Sequence, residues 1–214
     1  YLEGGYFPKC GPSKITKNII PVIEKSGGRV LVGKKVKEII IENNKAIGVE
    51  METGDKIYSK NVISAVGVNN TFSKLVNHNI SDKFIDLLLE TGYSTSFISC
   101  YINLDGTTEE LELRQSNLWI YPHKDYEKLI KNFEYNMEKN PMPLFISSGS
   151  AKDITWNERY PNKSSLVMLC PANIINFESW EEEECTKRNL DYKDLKIRLA
   201  NKMIEIMYKY YPKT

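Results

Sequence analysis

The sequence of 214 residues contains only four cysteines and two histidines. The cysteines stand far apart and form no CxxC pair, so the spacing typical of zinc sites and small disulfide frameworks is missing. We therefore expect reduced thiols and no metal site. The cysteines are Cys10, Cys100, Cys170 and Cys185, and the histidines are His78 and His123.

A large net charge of either sign is also absent, since the formal net charge is +1. No long basic run is present, and we therefore expect no nucleic-acid partner. No apolar run reaches the roughly 20 residues that a membrane-spanning helix requires. The sequence begins without Met and without a signal-like segment, so we expect the true N-terminus to lie elsewhere.

The first 67 residues predict loop, helix, strand, hairpin and returning strand in that order. Ser13 can cap a helix whose isoleucines recur at helical spacing and which ends at Gly27-Gly28. A hairpin turn is predicted at Asn43-Asn44, and the last strand opens into a turn at Gly67. The predicted strands cover residues 30–32, 38–42, 46–52 and 61–66. This order is found in the later part of a flavin-binding domain, whereas the glycine fingerprint that begins such a domain is absent.

The rest of the chain predicts a second sheet with covering helices. Helical spacing of apolar residues predicts helices at 81–92, 125–138 and 192–211. Runs rich in β-branched and aromatic residues predict the strands. These strands cover residues 94–104, 118–121, 144–147 and 165–169. The fold class is therefore α/β followed by α+β, with the boundary near residues 73–81 and the second sheet either mixed or antiparallel.

Several segments resemble the phytoene desaturase and carotenoid isomerase group of FAD-dependent oxidoreductases. The first are Gly4-Gly5-Tyr6-Phe7-Pro8-Lys9-Cys10-Gly11, the helix end at 20–28 and Val62-Ile63-Ser64-Ala65-Val66-Gly67. The segment from Leu144 to Pro161 and the segment Phe177-Glu178-Ser179-Trp180-Glu181-Glu182 resemble the retinol saturase branch of that group. The resemblance covers almost the whole chain, and it identifies the chain as a central fragment of such an enzyme.

The resemblance implies two domains. Residues 1–76 would be the later part of a Rossmann-like FAD-binding domain that lacks its GxGxxG segment, and residues 77–214 would be an incomplete substrate-binding domain. FAD is the implied cofactor, and the implied partners are an apolar polyene and the rest of the same polypeptide. A polyene partitions into bilayers, so peripheral membrane association is expected, and the resemblance suggests the endoplasmic reticulum.

The resemblance also places site residues. Val36 would offer its backbone amide and carbonyl to the adenine, and Ala65 and Gly67 would let the backbone approach the cofactor, although a tight turn explains them equally. Cys10 replaces the first glycine of the family's Pro-x-Gly-Gly, either as a small residue or as a redox thiol near the flavin. Tyr6 and Trp156 are the predicted substrate-binding residues, with a core role open for Trp156.

Three functions remain open. The first is reduction of a C=C bond in all-trans-retinol or a related apolar polyene, and the second is desaturation or isomerisation of a carotenoid. The third is a catalytically inactive structural or assembly subunit with this fold, which Cys10 in the glycine loop favours. No residue is predicted as the proton donor, and the pair Asp153 and Thr155 predicts a turn or helix cap rather than an acid catalyst.

Overall fold

The computed structural model describes residues 4–77, 80–92, 94–180, 183–184 and 186–214. His78 and Cys185, about which the sequence makes predictions, lie outside these residues, as does part of the acidic run at 181–184. The chain divides into two compact units, one of Tyr1–Ile19 with Ser94–Thr214 and the other of Ile20–Tyr93. The predicted division into functional domains at residues 76 and 77 stays a prediction, because compactness does not report what each part binds.

A three-stranded antiparallel sheet organises the unit Ile20–Tyr93. Its strands are β1 (Val36–Glu42), β2 (Lys45–Met51) and β3 (Lys56–Tyr58), in the order β1-β2-β3. The predicted hairpin turn is confirmed: Asn43 and Asn44 have φ angles of 48° and 59°, which suits a two-residue turn between twisted strands. At Gly48 an added Cβ would lie 2.4 Å from the carbonyl oxygen of Ile57, so only glycine allows β3 to approach this closely.

Two predicted strands of this part are wrong. Residues 30–32 and 61–66 form no strand, and Ile63 is 93% exposed. Short apolar runs of this kind become strands only when neighbouring strands supply the ladder of hydrogen bonds. No strand within the described residues pairs with either run.

Helices occur where the sequence predicts them. The first, α1 (Ser13–Lys25), begins at the predicted residue, and Gly27 follows it with a φ of 83°. None of its residues is buried. A short helix α2 (Val68–Asn70) and a π-turn (Thr71–Leu75) precede α3 (Asp82–Thr91), which ends at Gly92 as predicted.

The second sheet is confirmed, and it is antiparallel. Its strands are β4 (Ser96–Asp105), β5 (Leu118–Ile120), β6 (Leu144–Ser147) and β7 (Lys163–Ala172), in the order β4-β7-β6-β5. The longest pairing joins β4 to β7, from Ser96 opposite Ala172 to Asp105 opposite Lys163. The strand β4 therefore forms one edge of the sheet.

One face of this sheet carries the main core. The helix α7 (Leu190–Tyr210) buries a residue every four positions, and these residues cluster with alternate residues of β6 and β7. The cluster includes Leu195, Leu199, Met203 and Met207 from α7 and Ile146, Leu166, Met168 and Cys170 from the sheet. Of the other helices, α4 (Tyr126–Tyr135) buries Leu129 and Phe133, while α5 (Gly149–Lys152), α6 (Trp156–Arg159) and a 3-10 segment (Ile174–Trp180) are short.

The fold is therefore α+β, with helices and antiparallel sheets. None of the helices in the described part of the chain has the length and apolar character needed to cross a membrane.

Candidate functional site

A buried carboxylate holds the loop that contains Cys10. Asp153, only 4% exposed, accepts hydrogen bonds through Oδ1 from the Cys10 amide at 3.1 Å, the Thr155 amide at 3.1 Å and the Thr155 hydroxyl at 2.8 Å. Its other oxygen, Oδ2, is paired with the guanidinium of Arg159. Four donors from two distant segments thus converge on one side chain, which we call the Asp153 anchor.

Cys10 makes its contact with Asp153 in a left-handed backbone conformation. Cys10 has a φ of 68° and Gly11 a φ of 81°, both in the left-handed region that favours glycine. The Thr155 hydroxyl also lies 3.5 Å from Cys10 Sγ, so the thiol packs against the anchor. Cys10 therefore adopts the backbone conformation of the glycine that the family motif predicts at this position.

Hydrogen bonding decides the ionisation of Asp153. Burial by itself raises the pKa of this carboxyl. The hydrogen bonds from Thr155 and from the Cys10 amide, together with the charge of Arg159, outweigh burial and hold the pKa below its usual value. Asp153 is thus a carboxylate that binds donors, not a buried acid with a proton to give.

The predicted substrate residues differ in exposure. Tyr6 is 91% exposed. Trp156 is half-buried: its indole N–H donates to the Lys163 carbonyl at 2.6 Å, and its ring centroid lies 4.7 Å from that of Tyr160. Because Arg159 stacks over the Trp156 ring at 5.8 Å, Trp156 is connected to the Asp153 anchor. The substrate roles of Tyr6 and Trp156 stay predictions.

The predicted cofactor residues Ala65 and Gly67 line one concave apolar site of about 620 Å³ in the unit Ile20–Tyr93. Ile39 and Ile41 of β1 form its floor. Gly67 has a φ of 91°, and an added Cβ there would meet nothing within 4 Å. The site around it is therefore open.

Two predicted cofactor residues lie elsewhere. Val36 begins β1 and pairs with Met51, but it does not line this cavity. Cys10 lies in the other compact unit, where the Asp153 anchor holds it. The cofactor roles of Val36, Ala65, Gly67 and Cys10 stay predictions.

The second face of the four-stranded sheet carries exposed aromatic side chains. Phe97, Tyr101 and Trp119 are exposed there, and Trp119 contacts Phe145 with ring centroids 4.7 Å apart. Pairing places Phe97 opposite Pro171 and Tyr101 opposite Val167, and Ser99 and Asn103 alternate with the aromatic residues of β4 on the same face. We call it the aromatic face.

A lysine that the sequence analysis did not single out lies beside the aromatic face. Lys152 Nζ donates to Ser147 Oγ and to Asn117 Oδ1, both at 2.5 Å. Partial burial lowers the pKa of Lys152. The sequence analysis missed three site residues, namely Asp153, Arg159 and Lys152. The recognisable local pattern among them is the turn pair Asp153 and Thr155, which does not indicate a site.

The cysteines in the described part of the chain are free thiols, namely Cys10, Cys100 and Cys170. Burial raises the pKa of Cys170 to about 12, so this thiol stays protonated in the core. Nowhere among the described residues do three or more His, Cys, Asp or Glu side chains form a group that could hold a metal ion.

The chain is similar to proteins whose names describe enzymes of retinoid and carotenoid metabolism. It is 37% identical, over its whole length, to the all-trans-retinol 13,14-reductase of Danio rerio, of which it covers 37%. It is 30% identical over 95% of its length to a protein of the same organism named inactive all-trans-retinol 13,14-reductase, of which it covers 35%.

The chain is similar to all-trans-retinol 13,14-reductases along its whole length. A more distant match is the 4,4'-diapophytoene desaturase of a Methylomonas species, 26% identical over 80% of the chain and covering 33% of that protein. The chain thus spans little more than a third of the length of the curated reductases that it matches. No family model matches it. The retinol saturase resemblance that the sequence motifs carry is confirmed.

Proposed function

We propose that the polypeptide carrying this chain is an FAD-dependent oxidoreductase that reduces a carbon–carbon double bond of all-trans-retinol or a related apolar polyene. Whole-length similarity to all-trans-retinol 13,14-reductases supports the reaction class. The observation that carries the proposal structurally is the aromatic face, because a flat polyene needs an extended apolar surface with few charges.

The residues of the unit Ile20–Tyr93 fit part of a flavin site. The segment 61–67 makes no strand pairing within the described residues. Its carbonyls at Asn61, Val66 and Gly67 accept hydrogen bonds from neighbouring residues, so a cofactor would be bound by the other backbone groups of the segment. Gly67, with open space around it, adds room for close backbone approach. This supports a Rossmann-like domain of which the chain holds the later part, while the GxGxxG segment would come from the rest of the same polypeptide.

Each site residue then has a defined task. Val36 would bind the adenine through its backbone, and Ala65 and Gly67 would line the cofactor. When bound, the reduced flavin supplies a hydride to one carbon of the double bond while a proton reaches the other. The Asp153 anchor holds Cys10 in a left-handed conformation, and the neighbouring Tyr6 and Trp156 would contact the polyene.

Two other functions remain as outcomes of the test. A carotenoid desaturase or isomerase is supported by the Methylomonas relative, whose name states a desaturase. An inactive structural subunit is supported by Cys10 in the glycine loop and by the relative named inactive. Membrane-surface association, at the endoplasmic reticulum, is part of the proposal only because the polyene partitions into bilayers.

Flavin absorbance of the native polypeptide, purified without added cofactor, is the first test. We expect stoichiometric FAD and, with all-trans-retinol and a reductant, a product that has gained two hydrogens. A product with a new double bond or a changed geometry would favour the desaturase or isomerase. A protein that contains no flavin and regains none when FAD is added would contradict the proposal and favour the structural subunit.

A pair of matched glycine variants tests the cofactor residues. Gly67→Ala and Gly54→Ala both place a Cβ at a positive φ, 91° and 85°, and in both cases that Cβ meets nothing within 4 Å. Only Gly67 lines the proposed cofactor cavity. We expect Gly67→Ala to lower the FAD content and Gly54→Ala to leave it unchanged; equal effects would remove Gly67 from the cofactor site.

A further inference from the structure

A second cavity, of about 580 Å³, lies in the unit that contains the four-stranded sheet. Its walls are the edge strand β4, the 3-10 segment after β7 and the helix α7. The apolar part of the lining includes Ile98, Phe177, Leu199 and Met203. Cavities of about 300–1,000 Å³ with such walls bind small apolar molecules.

One charged side chain in this cavity has an unsatisfied polar atom. The Nε of Arg188 is buried, and it has no hydrogen-bond partner in the structure as described. The guanidinium carbon lies 4.6 Å from the ring centroid of Tyr192, another residue of the cavity lining. A buried N–H without a partner costs about 1–3 kcal/mol, so native proteins rarely leave one without a ligand or a water.

The charges of the lining favour an anion. Among the described residues of the lining, Arg188 and Lys196 are positive and Glu178 is negative. Lys196 stacks on the same ring as Arg188, with Nζ 5.6 Å from the Tyr192 centroid. Cys100 adds no charge, because burial raises the pKa of its thiol. The lining thus has a net positive charge at one place and is apolar elsewhere.

We propose that this cavity binds a long-chain carboxylic acid, with the carboxylate on Arg188 and the hydrocarbon along β4 and α7. A guanidinium binds a carboxylate through two parallel hydrogen bonds, which the two terminal nitrogens of Arg188 would donate, because its Nε is closed to solvent. The cavity shares Phe97 and Tyr101 with the aromatic face, but a carboxylate site goes beyond the proposed reductase function, whose substrate ends in an alcohol. The two sources of such an acid are a fatty acid and an oxidised retinoid.

Equilibrium binding of radiolabelled oleic acid to the native polypeptide tests the proposal, with oleyl alcohol as the head-group control. We expect saturable binding of the acid and binding of the alcohol weaker by roughly 10- to 100-fold, the usual contribution of a hydrogen-bonded charged group. Equal binding of acid and alcohol, or binding that does not saturate, would overturn the proposal.

Two arginines of the same region provide a matched pair of variants. Arg188→Gln should weaken oleic acid binding by the same roughly 10- to 100-fold and leave the alcohol unchanged. Arg198→Gln should have no effect, because Arg198 lies on α7 outside the cavity and pairs with Glu138. Identical affinities of the two variants for oleic acid would refute a role for Arg188.

A third variant tests the hydrocarbon part of the cavity. Ala200 lines it, and Ala200→Leu fills part of its volume, so both the acid and the alcohol should bind more weakly. Retained circular dichroism separates this effect from unfolding. Repeating the measurement with an all-trans retinoid that carries a carboxyl group identifies the source of the ligand, which is the class of acid that binds more tightly. Tighter binding of either acid supports the carboxylate site. Flavin content and reductase activity do not enter these readouts, so a negative result here leaves the proposed function standing.

Discussion

Replacing Asp153 by Asn tests the anchor that holds the Cys10 loop. The side chain is buried and accepts from the Cys10 amide, the Thr155 amide and hydroxyl, and Arg159. Asn has one acceptor oxygen and one NH₂ group. In either orientation of the amide, the NH₂ group therefore faces a donor, and the charge that strengthens all four contacts is lost.

The expected cost follows from these contacts. Removing one partner of a buried ion pair costs about 3–5 kcal/mol when the other charge is stranded. Arg159 keeps 34% of its side chain exposed, so water can solvate the guanidinium and reduce the cost. We expect Asp153→Asn to lower the free energy of unfolding by about 2–4 kcal/mol.

Chemical denaturation of the native polypeptide, followed by circular dichroism, measures this change. A lower midpoint with an unchanged slope indicates lost stability rather than a changed denatured state. The control is Asp105→Asn, which removes an exposed ion pair with Lys163 and should cause no measurable change. Equal midpoints for the two variants would refute the anchor.

The effect of Asp153 should also depend on pH. Its pKa is lowered in the folded protein, so it stabilises the fold fully above the unfolded pKa of about 3.9. As the pH falls through the folded pKa, the carboxylate gains a proton and this stabilisation is lost. The difference in unfolding free energy between the wild type and Asp153→Asn should therefore shrink below about pH 4. A difference that is the same at pH 7 and at pH 3 would contradict a charged anchor.

Two predictions concern backbone positions that restrict the side chain. Cys10→Gly should change the thermal unfolding midpoint little, because glycine adopts the φ of 68° freely but loses the contact with Thr155. Cys10→Val should lower the free energy of unfolding by at least about 1 kcal/mol, since a β-branched residue is strained at this φ. Gly48→Ala should destabilise the three-stranded sheet by about 1–3 kcal/mol and speed amide hydrogen exchange in β3, because the new Cβ would clash with the Ile57 carbonyl. Gly5→Ala is its control, as a Cβ there meets nothing within 4 Å, and equal exchange in both variants would show that β3 does not approach Gly48 this closely.

Local pattern predicted much of the fold. The spacing of Leu195, Leu199, Met203 and Met207 predicts α7 and its buried face, and the structure buries all four. The Asn43-Asn44 turn was equally predictable, because few residues besides Gly, Asn and Asp tolerate two successive left-handed conformations. Four strands of the second sheet were found from composition alone, since β-branched and aromatic residues favour a half-buried pleated surface.

The candidate site was predictable only in part. Motif resemblance singled out Cys10 and Trp156, and the structure connects both to the same buried carboxylate. Asp153 itself was predicted as a local turn residue. It does form that turn with Thr155, but its contact with Cys10 spans 143 positions of the chain. Nothing in the local sequence reports such a contact.

The sequence by itself therefore determined the longer helices, the hairpin of β1 and β2 and the strands of the second sheet, because these depend on residues within a few positions of one another. It did not predict β3 or the short helices α2, α5 and α6. Only the tertiary structure decided which extended segments pair. It left 30–32 and 61–66 without strand partners among the described residues, and it made β4 an edge strand beside a cavity. It also decided that Asp153 is a carboxylate rather than an acid, since its ionisation depends on donors that folding brings from distant parts of the chain.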